Sequence, residues 1–143
     1  MRIQQLSVFL ENKPGHLCEM TDLLAQNNID ISAISIADTS GFGIVRMIVD
    51  RPDDAKEVLA KAGIVCKVTF VTALAMNDEP GELAQILRYL ADRRINVEYM
   101  YAFVSARSGK ALLVVQTDDP ENTETVLDQR GLNVLSPADI YRI

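Results

Sequence analysis

The first half of the chain combines stretches of alternating apolar and polar residues with stretches whose apolar residues recur at helical spacing. Ile3–Leu10 alternates, which predicts a strand with one buried face. A Pro-Gly pair and a helical pattern follow, so a helix is expected to open near Pro14. Two more strands, Ile29–Ala37 and Ile44–Asp50, flank a glycine turn, and Pro52 opens a second helix. A last strand completes the order βαββαβ.

The second half of the chain repeats this pattern. The segment Lys13–Leu17 returns as Glu79–Leu83, with the Pro-Gly pair in the same place. The spacing between equivalent residues changes near Gly41 in the first copy and Gly109 in the second. A length change belongs in a loop, so both glycines are expected in hairpin turns. The repeat indicates a duplicated domain.

We therefore predict an α+β chain of two ferredoxin-like βαββαβ domains in tandem, 1–68 and 69–143, each with two helices on one face of an antiparallel sheet. Val65–Met76 is nearly continuous strand-like sequence, so the last strand of the first domain is expected to run into the first strand of the second. Asp119 is expected to cap the helix that follows it. The tail, Asp139–Ile143, is expected to add a further strand.

The composition disfavours polyanionic partners. Of the 143 residues, 48% are hydrophobic, and the formal net charge is −6. Excess acid repels phosphate backbones and anionic membranes, so neither a nucleic acid nor a membrane is expected as a partner. The absence of a signal pattern and of any long apolar run predicts a cytoplasmic protein. Cys18 and Cys66 are expected to be reduced thiols.

Catalysis is not indicated by any residue pattern in the chain. There is one histidine, the two cysteines are far apart, and no nucleophile-elbow or phosphate-loop motif occurs. The acidic pairs Asp53-Asp54 and Asp118-Asp119 lie at predicted helix starts, where capping and the helix dipole explain them. The strands Ile44–Asp50 and Ala111–Thr117 lack the aromatic residues of RNA-recognition modules. We therefore expect no enzyme, no metal and no cofactor.

The loop after the first strand has the chemistry of an anion-binding turn. Glycine at a helix start lets a ligand approach the backbone, and the free N–H groups there favour a carboxylate. In the first copy the side chains around Gly15 are Asn12, Lys13 and His16. In the second copy the loop is acidic, which opposes an anion but suits an ammonium group. Its charged residues are Asp78, Glu79 and Glu82.

These features resemble the ACT domain family. The pattern Asn12-x-Pro14-Gly15-x-Leu17, with Asn28-Ile29-Asp30-Ile31 entering the second strand, is the resemblance in the first copy. Asp78-x-Pro80-Gly81-x-Leu83 and Ile95-Asn96-Val97 repeat it in the second. Within that family the chain is similar to the regulatory subunit of acetohydroxyacid synthase and to stand-alone tandem ACT proteins. The resemblance covers nearly the whole chain.

The resemblance implies a sensor that binds a free L-amino acid. ACT domains commonly pair their sheets side by side through their second strands, and the ligand lies between the loop of one domain and the second strand of its neighbour. Two candidate sites follow. The first would use Asn12, Lys13, Pro14, Gly15, His16 and Leu17 with Asn96 and Val97. The second would use Asp78, Glu79, Pro80, Gly81, Glu82 and Leu83 with Asp30 and Ile31.

The expected role is regulation of an enzyme of amino-acid metabolism. The alternative is a ligand-free interaction module that acts as an accessory subunit of an enzyme. Tyr99, Tyr101 and Phe103 alternate along one strand, and if they line the open face of the sheet they provide a surface for a partner. We expect this stripe to support a homodimer or a larger assembly. The other open interpretation is a sheet face that is covered within the monomer.

Overall fold

The order of strands and helices follows the repeated pattern of the sequence. The structure is a computed structural model that describes residues 2–39, 41–104 and 109–140. Strands alternate with helices twice, and two short elements end the described chain. The elements are β1 (Ile3–Glu11), α1 (His16–Gln26), β2 (Ile31–Thr39), β3 (Phe42–Val49), α2 (Pro52–Lys61), β4 (Val65–Asn77), α3 (Glu82–Asp92), β5 (Val97–Val104), β6 (Lys110–Thr117), α4 (Pro120–Gln129), β7 (Asn133–Val134) and α5 (Pro137–Ile140).

The chain forms two compact units. The first unit comprises Gln4–Phe70, and the second comprises the described residues from Val71 onward together with Arg2 and Ile3. Strand β4 is continuous and contributes to both, as its apolar sequence predicts. The α+β fold with two ferredoxin-like βαββαβ units in tandem is thereby confirmed. The domain boundary between 68 and 69 stays a prediction.

In the first unit the strands lie in the order β2-β3-β1-β4. In the antiparallel pairing of β1 with β3, Leu6 lies opposite Met47 and Val8 opposite Val45. Their side chains share one sheet face because residues opposite each other in a ladder point the same way. Met20 and Leu24 of α1 and Leu59 of α2 pack on that face and complete a buried apolar core.

The second unit repeats this arrangement. Strand β4 pairs with β6 and with the short β7, and β6 pairs with β5. Leu74 and Leu113 lie opposite each other and face the core, where Ile86 and Leu90 of α3 join them. The apolar stripes of the helices therefore supply the same half of the core in both units.

The starts of α1 and α3 differ from the sequence prediction. Both helices begin after a glycine N-cap in the left-handed conformation, Gly15 with φ 89° and Gly81 with φ 89°. Pro14 and Pro80 precede the glycines and lie outside the helices, whereas we expected a proline near the first helical position. The reversal of the chain requires a positive φ, which glycine adopts readily and proline cannot adopt.

The second helix of each unit starts as predicted, but the two starts are stabilised differently. Pro52 and Pro120 occupy the first turn. The Asp119 carboxylate accepts a hydrogen bond from the Asn122 N–H at 3.2 Å, as expected of an N-cap. Arg51 at the equivalent position donates instead to the Asn27 carbonyl at 2.7 Å. The guanidinium thus stabilises the end of α1 and does not cap α2.

Substituting Asp119→Ala is expected to lower the free energy of unfolding by about 1 kcal/mol, because the N–H of Asn122 loses its acceptor. Chemical denaturation measures this loss. Asp119→Asn is the matched control, since its amide oxygen serves as an N-cap almost as well. An equal loss in both variants would show that the cap hydrogen bond is not the cause.

Asp139 and Ile140, the first two residues of the expected tail strand, are helical. Pro137–Ile140 forms a single helical turn, and residues 141–143 lie outside the described part of the chain. Ser136 and Asp139 explain the turn, because the Ser136 N–H donates to Asp139 Oδ2 at 2.9 Å and the Asp139 N–H donates to Ser136 Oγ at 3.3 Å. This reciprocal pair is a capping box, a local signal that favours a helix at Asp139 and Ile140, and the strand prediction for residues 141–143 is not tested.

The aromatic stripe of β5 lies on the sheet face away from the core. Tyr101 lies opposite Val114, whereas its neighbours Met100 and Ala102 lie opposite residues of the core face, Val115 and Leu113. Tyr99, Tyr101 and Phe103 are half-buried rather than exposed. The stripe is therefore partly covered within the described chain and partly accessible to a partner. No helix within 2–39, 41–104 and 109–140 has the length and apolarity of a membrane crossing.

Candidate ligand-binding site

An open pocket lies at the end of β1 in the first unit. It encloses about 320 Å³ that opens to solvent. Gly43 of β3 lies opposite Leu10 in the ladder. Because glycine has no side chain, the space beside Leu10 is left empty at this point of the pocket. Ile36 of β2 also lines the pocket and is 54% exposed. The lining residues are Leu10, Glu11, Asn12, Lys13, Leu17, Ile36, Gly43 and Val45.

The turn between β1 and α1 is held by backbone hydrogen bonds. The Asn12 N–H donates to the Gly41 carbonyl at 2.9 Å, and the His16 N–H donates to the Lys13 carbonyl at 3.3 Å. Within the described residues, the N–H groups of Gly15, Leu17 and Cys18 have no protein acceptor. These three donors lie at the positive end of α1, where an anion is favoured.

The charged side chains on the rim form an ion pair. Lys13 Nζ lies 2.9 Å from Glu11 Oε2. The hydrogen bond from Lys13 lowers the pKa of the Glu11 carboxyl, and the same contact raises the pKa of Lys13. Sequence reasoning treated Lys13 as an added positive charge and did not include Glu11. In the structure the rim therefore offers one cation and one anion side by side.

His16 supports the turn. Its Nδ1 lies 3.2 Å from the Glu11 carbonyl oxygen. A carbonyl only accepts, so a hydrogen bond here requires the proton on Nδ1. Pro14, Gly15 and His16 do not line the pocket, but they set the course of the backbone beside it.

The corresponding loop of the second unit has the same backbone and opposite chemistry. The Glu82 N–H donates to the Glu79 carbonyl at 3.3 Å, as His16 donates to Lys13. Where the first loop has Asn12 and Lys13, this loop has Asp78 and Glu79. Pro80 and Leu83 keep their places in the turn and the helix, but the surroundings differ. Ala102 stands where β2 has Ile36, and Ala111 stands where β3 has Gly43.

The second-strand residues of both candidate sites are held by aspartates. The N–H of Asn96 donates to Asp118 Oδ1 at 2.9 Å, and the N–H of Asp30 donates to Asp50 Oδ1 at 3.0 Å. The side chains of Asn96 and Asp30 are exposed. The next residues, Val97 and Ile31, pack against the cores of their units, so their side chains have a structural role.

Asn12, Lys13 and Leu17 are the sequence-predicted residues that line the pocket, and sequence reasoning missed the other five. Ile36 and Gly43 are distant from the loop along the chain, and only the pairing of β2 with β3 brings them to it. Glu11 follows the predicted strand Ile3–Leu10 and was given no role in the site. The available signal was that Ile36 and Gly43 lie close to the predicted glycine turn between the second and third strands. The missed residues are Leu10, Glu11, Ile36, Gly43 and Val45.

The thiols and acidic groups show no reactive arrangement. Asp22 raises the pKa of the exposed Cys18 thiol, and burial raises the pKa of Cys66. Both shifts disfavour the thiolate, which is the nucleophilic form. Among the residues that the structure describes, no group of three or more His, Cys, Asp or Glu side chains is placed to hold a metal ion.

The fold and the paired loops define a regulatory class of domain. The chain belongs to the ACT domain pair family, whose pattern matches residues 1–143. ACT domains are regulatory rather than catalytic modules. The resemblance found in the repeated Pro-Gly loops is thereby confirmed at the level of the family.

Solved structures agree with this assignment. The protein BT0572 from Bacteroides thetaiotaomicron is 36% identical, with a TM-score of 0.93 over 100% of this chain and 98% of that one. The ligand-free regulatory subunit of aspartate kinase from Thermus thermophilus is 17% identical, with a TM-score of 0.62 over 88% and 91% of the two chains. Aspartate kinase from Synechocystis gives 22% identity and a TM-score of 0.57, and the match covers 95% of this chain and 28% of the kinase. No curated protein sequence matches significantly.

Proposed function

We propose that the protein is a sensor that binds a free L-amino acid at the loop of the first unit and thereby regulates an enzyme of amino-acid metabolism. The observation that carries the proposal is the pocket of the first unit, which combines the ion pair of Glu11 and Lys13 with an apolar wall and is also lined by Leu17, whose N–H has no protein acceptor among the described residues. The ligand carboxylate would take the N–H groups of Gly15 and Leu17. A regulatory role, and no activity of its own, agrees with membership in the ACT family.

The ligand would be enclosed by a neighbouring ACT unit. Strand β2 is an edge strand of its unit and exposes Ile34 and Ile36, with 45% and 54% of their surfaces accessible. An exposed apolar edge strand favours pairing with another strand. We propose a homodimer in which the second strand of a neighbouring unit covers the pocket and supplies Asn96 as a further polar contact. Ligand binding would then tighten this pairing and transmit a signal by population shift.

The loop of the second unit, Asp78–Leu83 with Asp30, is a second candidate site. Its acidic side chains oppose a carboxylate, so we propose that it binds the amino acid more weakly or not at all. The other parts of the sequence prediction, a cytoplasmic location and a partner enzyme, are kept as proposals. The likeness to the regulatory subunit of acetohydroxyacid synthase stays a prediction as well.

A thermal-shift screen of the twenty L-amino acids tests the proposed function. A ligand at about 100 times its dissociation constant stabilises the native state by roughly 2.7 kcal/mol, which corresponds to about 5–10 °C for a chain of this size. The D-enantiomer of each chiral hit is the control, because a site that fixes the carboxylate, the ammonium group and the side chain at three positions distinguishes the two enantiomers. If all twenty amino acids leave the melting temperature unchanged at a concentration of about 10 mM, an interaction module without a ligand explains the fold better than an amino-acid sensor does.

A further inference from the structure

The pocket of the first unit joins two opposite charges to an apolar wall, and this combination restricts its ligand. We propose that the site selects α-amino acids with an uncharged aliphatic side chain and that Glu11 accepts their ammonium group. This inference rests on the proposed function and names the class of ligand and a residue that determines specificity.

The ion pair on the rim matches the charges of an amino acid. Glu11 Oε2 and Lys13 Nζ are 2.9 Å apart, and both residues line the pocket. A zwitterion placed beside them directs its carboxylate to Lys13 and to the N–H group of Leu17, which also lines the pocket, and its ammonium to Glu11. The contact with Lys13 lowers the pKa of Glu11, so the acceptor is ionised at neutral pH.

The same pair discriminates against ligands with a single charge. A carboxylic acid without the amino group would compete for Lys13 but place its negative charge beside Glu11, where no ammonium compensates for it. A free amine would place its positive charge beside Lys13, where no carboxylate of the ligand compensates for it. Like charges in close contact are unfavourable, so the pair admits a zwitterion and disfavours either half of it.

The apolar wall of the pocket determines which side chain of the ligand is favoured. Leu10, Leu17, Ile36 and Val45 present hydrocarbon, and the only uncharged polar side chain among the lining residues is that of Asn12. A polar ligand side chain placed against this wall would lose water without gaining a hydrogen bond. Aliphatic side chains lose nothing there and bury apolar surface.

Gly43 sets the depth available to that side chain. A Cβ built at Gly43 would lie 3.8 Å from the Leu10 carbonyl oxygen and 4.0 Å from Ile36 Cγ2, which is ordinary van der Waals contact. Gly43→Ala therefore adds one methyl to the pocket without a clash. In the second unit, alanine already stands at that position.

The test measures binding of L-valine, L-leucine and L-isoleucine by calorimetry, together with the des-amino acid of whichever of the three binds most tightly. The parent protein is expected to prefer the amino acid over its des-amino analogue by at least about tenfold. Glu11→Gln is expected to reduce affinity for the amino acid about tenfold and to remove most of this preference. Glu19→Gln, which changes the same charge in the first turn of α1 away from the pocket, is the matched control.

The selection of the ligand side chain by the pocket is tested with Gly43→Ala, which is expected to favour binding of valine relative to leucine. A preference for the amino acid that survives Glu11→Gln would overturn the role of Glu11. Binding of polar or charged amino acids in place of all three aliphatic ones would overturn the ligand class, while the proposed function would stand. Failure of all twenty amino acids to bind would remove the proposed function itself.

Discussion

Replacing Gly15 by Asp is expected to weaken binding of the amino acid at least about tenfold. The new carboxylate would lie beside the free N–H groups of Gly15 and Leu17 and would face the carboxylate of the ligand. It would thus occupy the donors and repel the anion that they are proposed to bind. Calorimetry with the amino acid that stabilises the parent protein measures the loss.

Gly81→Asp is the matched control, because the two glycines share one backbone conformation. Both have φ 89°, and a Cβ at either position would meet no heavy atom within 4 Å. The backbone strain of the substitution, about 1–2 kcal/mol for a left-handed residue, is therefore the same in the two loops. Since the second loop already contains Asp78, Glu79 and Glu82, we expect Gly81→Asp to change binding by less than about twofold.

Gly15→Asn separates charge from shape, because asparagine has the size of aspartate without its charge. It is expected to retain much of the affinity that Gly15→Asp loses. An equal loss from Gly15→Asp and Gly81→Asp would contradict the proposed asymmetry of the two loops. Full binding by Gly15→Asp would exclude the loop of the first unit as the site.

Truncating the central leucine of either helix core is expected to have the largest effect on stability. Leu24 in α1 and Leu90 in α3 are equivalent residues of the repeat, and they are 0% and 1% exposed. Leu24→Ala and Leu90→Ala are each expected to lower the free energy of unfolding by about 2–5 kcal/mol, because the loss of apolar burial adds to the cost of the cavity. Urea denaturation, followed by circular dichroism, gives the change.

Two further variants show whether burial is the cause. Leu90→Met conserves volume and is expected to cost less than about 1.5 kcal/mol. Leu17→Ala removes a leucine from the same face of α1 that is 36% exposed, so it is expected to cost less than Leu24→Ala. A loss from Leu24→Ala no larger than that from Leu17→Ala would contradict the assignment of Leu24 to the core.

The sequence predicted the fold because the relevant signals are local. Alternation predicted β1, and the run Val65–Met76 predicted the continuous strand β4. Asp119 before Pro120 predicted a capped helix, and the hydrogen bond from Asn122 has that role. Each of these signals acts within a few residues, so neighbouring sequence is sufficient to specify it.

The turn that begins α1 was predicted only partly from the sequence. The Pro-Gly pair indicated exposed N–H groups, and the structure has them at Gly15, Leu17 and Cys18. Sequence alone placed the proline near the first helical position, whereas the helix begins after Gly15. The left-handed φ of that glycine is a property of the path of the chain, and more than one turn is compatible with the same two residues.

The sequence by itself determined the repeat, the element order and the residue types of the loop. Only the tertiary structure decided which side chains stand around that loop. The register of β3 against β1 and β2 brings Gly43 and Ile36 to the pocket, and the folding of the turn brings Glu11 onto Lys13. Register and side-chain pairing depend on atoms that are distant along the chain or free to rotate, so local pattern does not fix them.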